Sequence, residues 1–167
     1  MNAPTTAHTP SKRARDLRWL LENLVKEVPG IRSVAVVSSD GLLLLSSDPG
    51  DPGRPEAAPG EGGERSEHGP KGSSADLATI VSGLGSLTEG AAKLMDSGAV
   101  KQTMVAMDEG NLLVMSISDG SLLGVHAAPD CDTGTVAYHM GLFVGRAGHV
   151  LTPELRNELR ASLEPER

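Results

Sequence analysis

Cys131 is the only cysteine in the chain, and it lies between Asp130 and Asp132, shortly after His126 and before His139. A thiolate, two imidazoles and carboxylates along one short stretch could hold a metal ion. A cysteine at a helix N-terminus could also have a lowered pKa and act as a nucleophile. The spacing does not favour a ligand set, and the neighbouring acids oppose thiolate formation. A Pro-Asp-Cys-Asp turn whose second acid caps the following helix accounts for the same residues without chemistry. His126 and His139 then read as ordinary strand and helix residues. Asp40, Asp108, Glu109 and Asp119 could be imagined as paired carboxylates for acid/base work. Each falls in an expected hairpin turn, where Asp is favoured for backbone reasons alone.

Other catalytic signatures are missing. A phosphate-cradling loop needs G-x-x-x-x-G-K-[ST]; the nearest piece, Gly69-Pro70-Lys71-Gly72-Ser73, has the wrong order and a proline where a backbone donor is wanted. Gly83-Leu84-Gly85 lies inside a helical pattern rather than at a strand-to-helix turn, so a dinucleotide site fails on context. Neither G-x-S-x-G nor H-E-x-x-H occurs. No catalytic residue, metal or cofactor is assigned. Met104, Met107 and Met115 fall on expected strands, where they either fill the core or line an adaptable binding surface.

The 167 residues suit one domain with room for tails or a long loop. Aromatics make up only 2% of the chain, so the core must be aliphatic and no ladder of stacking rings is available. A formal charge of −7 opposes attraction to nucleic-acid phosphates or anionic lipid. Charged residues interrupt the leucine-rich start, so neither a signal peptide nor a membrane span is read there. With a lone cysteine, a cytoplasmic location is expected.

Residues 1–10 are polar and aperiodic and are expected to be a disordered tail. From Ser11, a candidate cap, Leu17, Leu20, Leu21, Leu24, Val25 and Val28 fall on one helical stripe until Pro29-Gly30 stops it. Runs at 31–38 and 42–47 flank Ser39-Asp40-Gly41, a strong hairpin signal. Both runs carry consecutive apolar residues, so helices are expected on both faces of their sheet. Residues 48–73, rich in Pro and Gly, read as a flexible insertion.

Ser73 with Asp76 then opens a second helix, with Leu77, Ile80, Val81, Leu84, Leu87, Leu94 and Met95 continuing an apolar face. Another face is small: Thr79, Ser82, Gly83, Ser86, Gly90 and Ala91. Each of the internal glycines Gly83, Gly85 and Gly90 costs about 1 kcal/mol against Ala, which either marks close approach of another backbone or a kinked helix in a glycine-rich composition. Runs at 100–107, 112–118 and 121–127, separated by Glu109-Gly110 and Asp119-Gly120, form a meander. Asp132 or Thr133 caps a last long helix striped by Val136, Met140, Phe143, Val144 and Ala147. Thr152-Pro153-Glu154 opens a short helix or tail over 151–167. The expectation is an α+β sandwich, order αββαβββα, with a single five-stranded antiparallel sheet flanked by helices.

That order, with "PGIRSVAVVSSDGLLLLSS", the small-residue helix from Ala75 and "MVAMDEGNLLVMSISDGSLLGVHA", resembles the roadblock/dynein light chain family over about residues 15–150. The domain is accordingly drawn over 11–150. The resemblance implies a homodimer that pairs the third strand and packs the middle helix across a two-fold axis. It places Thr79, Ser82, Gly83, Ser86, Gly90, Lys101, Thr103 and Val105 at that interface. It further implies a non-catalytic scaffold or regulator of a Ras-like small GTPase, of the bacterial, actinobacterial kind, with a sensor-kinase-like protein as another partner. The insertion at 48–73 departs from the family's pattern. The alternative from another class is a small-ligand sensor, since a sheet-and-helix fold of this size can enclose a pocket.

Overall fold

A computed structural model describes residues 9–47 and 74–163. The insertion at 48–73, the Ser73 cap and all but the end of the N-terminal tail lie outside the described residues.

Helix α1 (Lys12–Glu27) starts where the Ser11 hydroxyl accepts the Ala14 N–H at 3.2 Å, and ends where the Val28 N–H closes on the Leu24 carbonyl. The chain turns away through Gly30, whose φ of +89° suits a residue without Cβ. Leu17, Leu21, Leu24 and Val28 are buried as the periodicity requires, and Ala14 extends the stripe by a turn. Strands β1 (Ile31–Val37) and β2 (Leu43–Ser46) form the expected hairpin, with Gly41 at φ +87° in its turn. Helix α2 (Ser74–Leu94) follows, then the meander β3 (Thr103–Met107), β4 (Gly110–Ser116) and β5 (Leu122–Ala127), then α3 (Thr133–Val150) and α4 (Pro153–Leu163).

The five strands form one antiparallel sheet in the order β2-β1-β5-β4-β3. The join between hairpin and meander is β1 against β5, with Val34 opposite Val125 and Val36 opposite Leu123. Strand β3 begins later than the apolar run from Val100 suggests. The chain leaves α2 through two left-handed residues, Asp96 at φ +50° and Gly98 at φ +77°, and reaches the sheet only at Thr103. Gly110 is not a turn glycine either. It opposes Met107 in the ladder, and a Cβ there would meet His126 Nε2 at 2.8 Å and the Ala127 carbonyl at 3.0 Å.

The sheet is covered on both faces, unequally. On one side Val34, Val36, Leu44, Leu113, Leu123 and Val125 pack with α1, α3 and α4 into the larger core. On the other, Ala35, Val37, Leu112, Val114 and Leu122 pack under α2 with Ala78 and Val81.

Helix α4 is more than a tail. Leu155 and Leu159 are buried, and Glu158 accepts the Ser11 N–H at 2.7 Å, tying α4 to the start of α1. Arg160 Nη2 reaches both Asp40 carboxylate oxygens, at 2.8 and 3.0 Å, while Arg156 Nε lies 3.7 Å from Asp119. One turn of helix thus binds the β1–β2 and β4–β5 turns together. The Ser38 hydroxyl, the Asp40 backbone N–H and Arg160 hold the Asp40 carboxyl below the ordinary carboxylate range. Such a group stabilises the fold above its unfolded pKa of about 3.9, and the contribution is lost as pH falls through the lower folded value. Asp40→Asn should therefore flatten the acid limb of a stability-versus-pH profile below about pH 4. A limb unchanged in urea melts across that window would show that the clamp contributes nothing.

Candidate interaction surface

The placement of α2 rests on two reciprocal close approaches to β5. A Cβ on Gly124 of the strand would lie 2.5 Å from Val81 Cγ2, and a Cβ on Gly85 of the helix would lie 2.6 Å from Leu122 Cδ1. Each element offers a bare backbone where the other offers a branched side chain. Leu77 and Leu84 flank this contact, and the Thr88 hydroxyl donates to the Leu84 carbonyl at 2.8 Å. Thr103 Oγ1 on β3 stands 3.3 Å from Thr88 Oγ1, which brings α2 beside the outer strand.

With that face against the sheet, the apolar row read from the sequence divides. Leu77, Val81 and Leu84 pack inward, whereas Ile80, Leu87, Leu94 and Met95 are exposed, Leu87 by 72% and Leu94 by 87%. They are not one buried face. Ile80, Leu87 and Leu94 lie seven residues apart, and Gly83 and Gly90 fall three residues after the first two. This is a heptad-like seam in which small residues alternate with large ones. Sequence periodicity carries this signal, masked by the inward leucines that interleave with it.

The eight residues expected at an interface do not all share that outward face. Thr79, Gly83, Ser86 and Gly90 are exposed, and a Cβ at Gly83 or Gly90 would meet nothing. Ser82 is half-buried, its hydroxyl 3.3 Å from where a Cβ on Gly41 would sit. Lys101 is exposed on the segment leading into β3. Thr103 and Val105 are half-buried, Val105 packing in the core beneath α2. Strand β3 is the last in the sheet, so one side of its backbone has no strand partner among the described residues. Met104 and Met107 on it are each about half exposed, while Met115 packs against the larger core.

The chemistry-bearing residues near Cys131 settle into structural roles. Asp132 accepts the N–H groups of Gly134 and Thr135, at 3.0 and 3.1 Å, and the Thr135 hydroxyl, capping α3. The Thr135 backbone N–H, followed by its hydroxyl, lowers the Asp132 pKa. Cys131 is wedged against Gly30, and Asn111 Nδ2 lies 3.8 Å from its Sγ. Asp119 accepts from the Ser121 N–H and hydroxyl within its turn, and the Glu109 carbonyl takes a bond from Arg32. Among the described residues, no three His, Cys, Asp or Glu side chains gather as a metal site would require. No helix among them is long and apolar enough to cross a membrane.

The Roadblock/LC7 domain profile matches residues 64–127, which run through α2 and the meander. A crystal structure of the Roadblock/LC7 domain from Streptomyces avermitilis is 30% identical, covers 78% of this chain and 92% of its own, and superposes with a TM-score of 0.60. The chain belongs to the roadblock/LC7 family. Myxococcus xanthus MglB shares the roadblock fold at 15% identity and a TM-score of 0.62, covering 81% of this chain and 94% of its own. The gliding protein MglB from Thermus thermophilus does so at 17% and 0.64, covering 85% and 93%. The sequence matches no curated protein significantly.

The α2 layer and the strand beneath it thus carry glycines of two kinds, and substitution separates them. Gly124→Ala forces Val81, whose β-branch leaves it little rotamer freedom, and should cost about 1–3 kcal/mol. Gly83→Ala, on the open helix face, should raise the stability of the isolated chain by about 1 kcal/mol. Urea unfolding of both variants at low protein concentration checks the opposite signs.

Proposed function

We propose that this roadblock protein is a non-catalytic homodimeric regulatory platform that binds a Ras-like small GTPase, with a sensor-kinase-like protein as a further partner. The observation that carries the reading is the outward face of α2. Ile80, Leu87 and Leu94 are large apolar side chains left in water, and Gly83 and Gly90 between them allow a second helix to come close. An exposed apolar seam of this kind beside an open strand edge is a liability unless a partner covers it. A second copy covers both at once: α2 packs on its two-fold mate, and β3 extends the sheet into the neighbouring chain. Thr79, Gly83, Ser86 and Gly90 then line the helix contact, with Lys101 at its margin. Thr103 and Val105 lie on the paired strand, and Ser82 sits at the edge of the contact rather than within it.

The GTPase reading is supported by family membership and by the shared fold of MglB, together with the absence of catalytic motifs in the sequence. A platform acts by contact, favouring one switch conformation of its partner over another by differential affinity. It therefore needs surface and rigidity rather than reactive groups. Whether the effect is activation of hydrolysis or scaffolding is read from the partner's turnover.

Sedimentation should give a dimer for the wild-type chain and a monomer for Ser86→Trp, whose indole cannot fit between two helices packed through glycines. Leu87→Asp should give the same result by burying a charge. Variants that remain dimeric would place the interface elsewhere. GTP turnover by a Ras-like GTPase from the same genome, measured with and without the chain, should change in its presence. Failure of that GTPase to bind would overturn the partner assignment while leaving the dimer intact.

A further inference from the structure

On the side of the sheet turned away from α2, helices α1 and α3 build a second exposed face. They run antiparallel. Arg13 near the start of α1 donates to the Thr152 hydroxyl just past α3 at 3.4 Å, and at the other end a Cβ on Gly30 would lie 2.9 Å from Cys131 Cβ. Burial of Leu17, Leu21, Leu24 and Val28 turns Lys12, Arg15, Trp19 and Lys26 outward on α1. Burial of Val136, Met140, Phe143 and Ala147 does the same for Tyr138, Leu142 and His149 on α3. Trp19, Tyr138 and Leu142 are 59%, 65% and 43% exposed. Between the helices runs an open trough of about 310 Å³, and the antiparallel order puts Trp19 and Arg146 at one end of it, Glu27 and His139 at the other.

Charge is spread unevenly over the chain. A net charge of −7 opposes an anionic surface as a whole, but α1 and α3 together carry six lysines and arginines against three acids. The described residues outside α1, α3 and α4 carry three against nine. Lys12, Arg15, Lys26 and Arg146 make no ion pair among the described residues, and Asp16, Glu22 and Glu27 are the acids near them on α1. Free cations beside a protruding tryptophan and tyrosine match one kind of partner. Indole and phenol rings join an apolar body to a polar edge, and arginine and lysine stems lie along apolar matter while their charge stays wet. Both settle at the boundary between acyl chains and anionic headgroups.

We propose that the α1–α3 face docks on an anionic lipid bilayer. Trp19, Tyr138 and Leu142 enter the interfacial layer, and Lys12, Arg15, Lys26 and Arg146 meet lipid phosphates. Such binding is reversible and weakened by salt. One copy presents the whole face, so the inference rests on neither the dimer nor the GTPase reading. The face also stays open in the proposed dimer. With both α2 helices on one side of a continuous sheet, the two α1–α3 faces lie together on the other.

Trp19 is the chain's sole tryptophan, so its emission reports on this face directly. The full chain is mixed with vesicles of phosphatidylcholine alone, or of phosphatidylcholine with an equal part of phosphatidylglycerol, and binding is read by cosedimentation. The mixed vesicles should bind at least about tenfold more tightly, binding should weaken at about 0.5 M salt, and Trp19 emission should move to shorter wavelength. Arg15→Glu combined with Arg146→Glu should cut binding at least about tenfold, and Trp19→Ala should weaken it too, circular dichroism confirming that both variants remain folded. Failure to bind the mixed vesicles at low salt would overturn the proposal, and is the outcome if an acidic protein is the true occupant. Equal binding of both vesicle types, binding with Trp19 emission unshifted, or affinity unchanged in the charge-reversed variant would overturn it as well. Sedimentation without lipid reports the dimer independently, so failure of this face and failure of the α2 interface are distinguishable.

Discussion

The contact between α2 and β5 decides what this molecule can present to others. Among the described residues, one face of the sheet is covered by three helices and the other by one, so the position of that one helix determines both the smaller core and the surface opposite it. Gly124 and Gly85 let helix and strand approach until Val81 and Leu122 touch bare backbone. The rotation of α2 about its own axis follows from this fit. With Val81 and Gly85 turned down, Gly83, Leu87 and Gly90 must turn up. The outward seam is therefore a geometric corollary of the inward contact.

The larger core plays a different part. Helices α1 and α3 close it, and α4 adds Leu155 and Leu159 along with two arginines aimed at turn carboxylates. This side holds the strands in register and keeps the two hairpin ends together, so that the sheet behaves as a firm backing for α2. Rigidity of that kind is what a contact-based regulator requires, because a compliant platform dissipates the differential contacts by which it would bias a partner.

Much of this was legible in the residues. The α1 stripe, the Asp-Gly hairpin, the meander and the Asp132 cap each rest on local chemistry, and local chemistry is what a sequence displays. Coverage of both sheet faces also showed through, because Val34, Ala35, Val36 and Val37 are apolar at consecutive positions and all four are buried. Helix α2 was harder to read. It carries apolar residues on two faces, one serving this chain's own sheet and the other turned to solvent, and periodicity cannot say which is which. The deciding partners, Gly124 and Leu122, lie some forty residues further on. The same long-range origin hid the role of Gly85 and the capture of Asp40 by Arg160.

The pairing of β1 with β5 has a kinetic side. It joins residues 31–37 to residues 122–127, so the sheet's central seam forms only after most of the domain has been synthesised. The hairpin and the meander can each assemble locally beforehand, but neither half is a finished sheet until they meet. Closing a long loop costs entropy only as the logarithm of its length, about 0.6 kcal/mol for each doubling. The connection between β2 and α2 can therefore lengthen or shorten across relatives with little thermodynamic consequence, its length bearing on how quickly the halves find each other rather than on how firmly they stay joined.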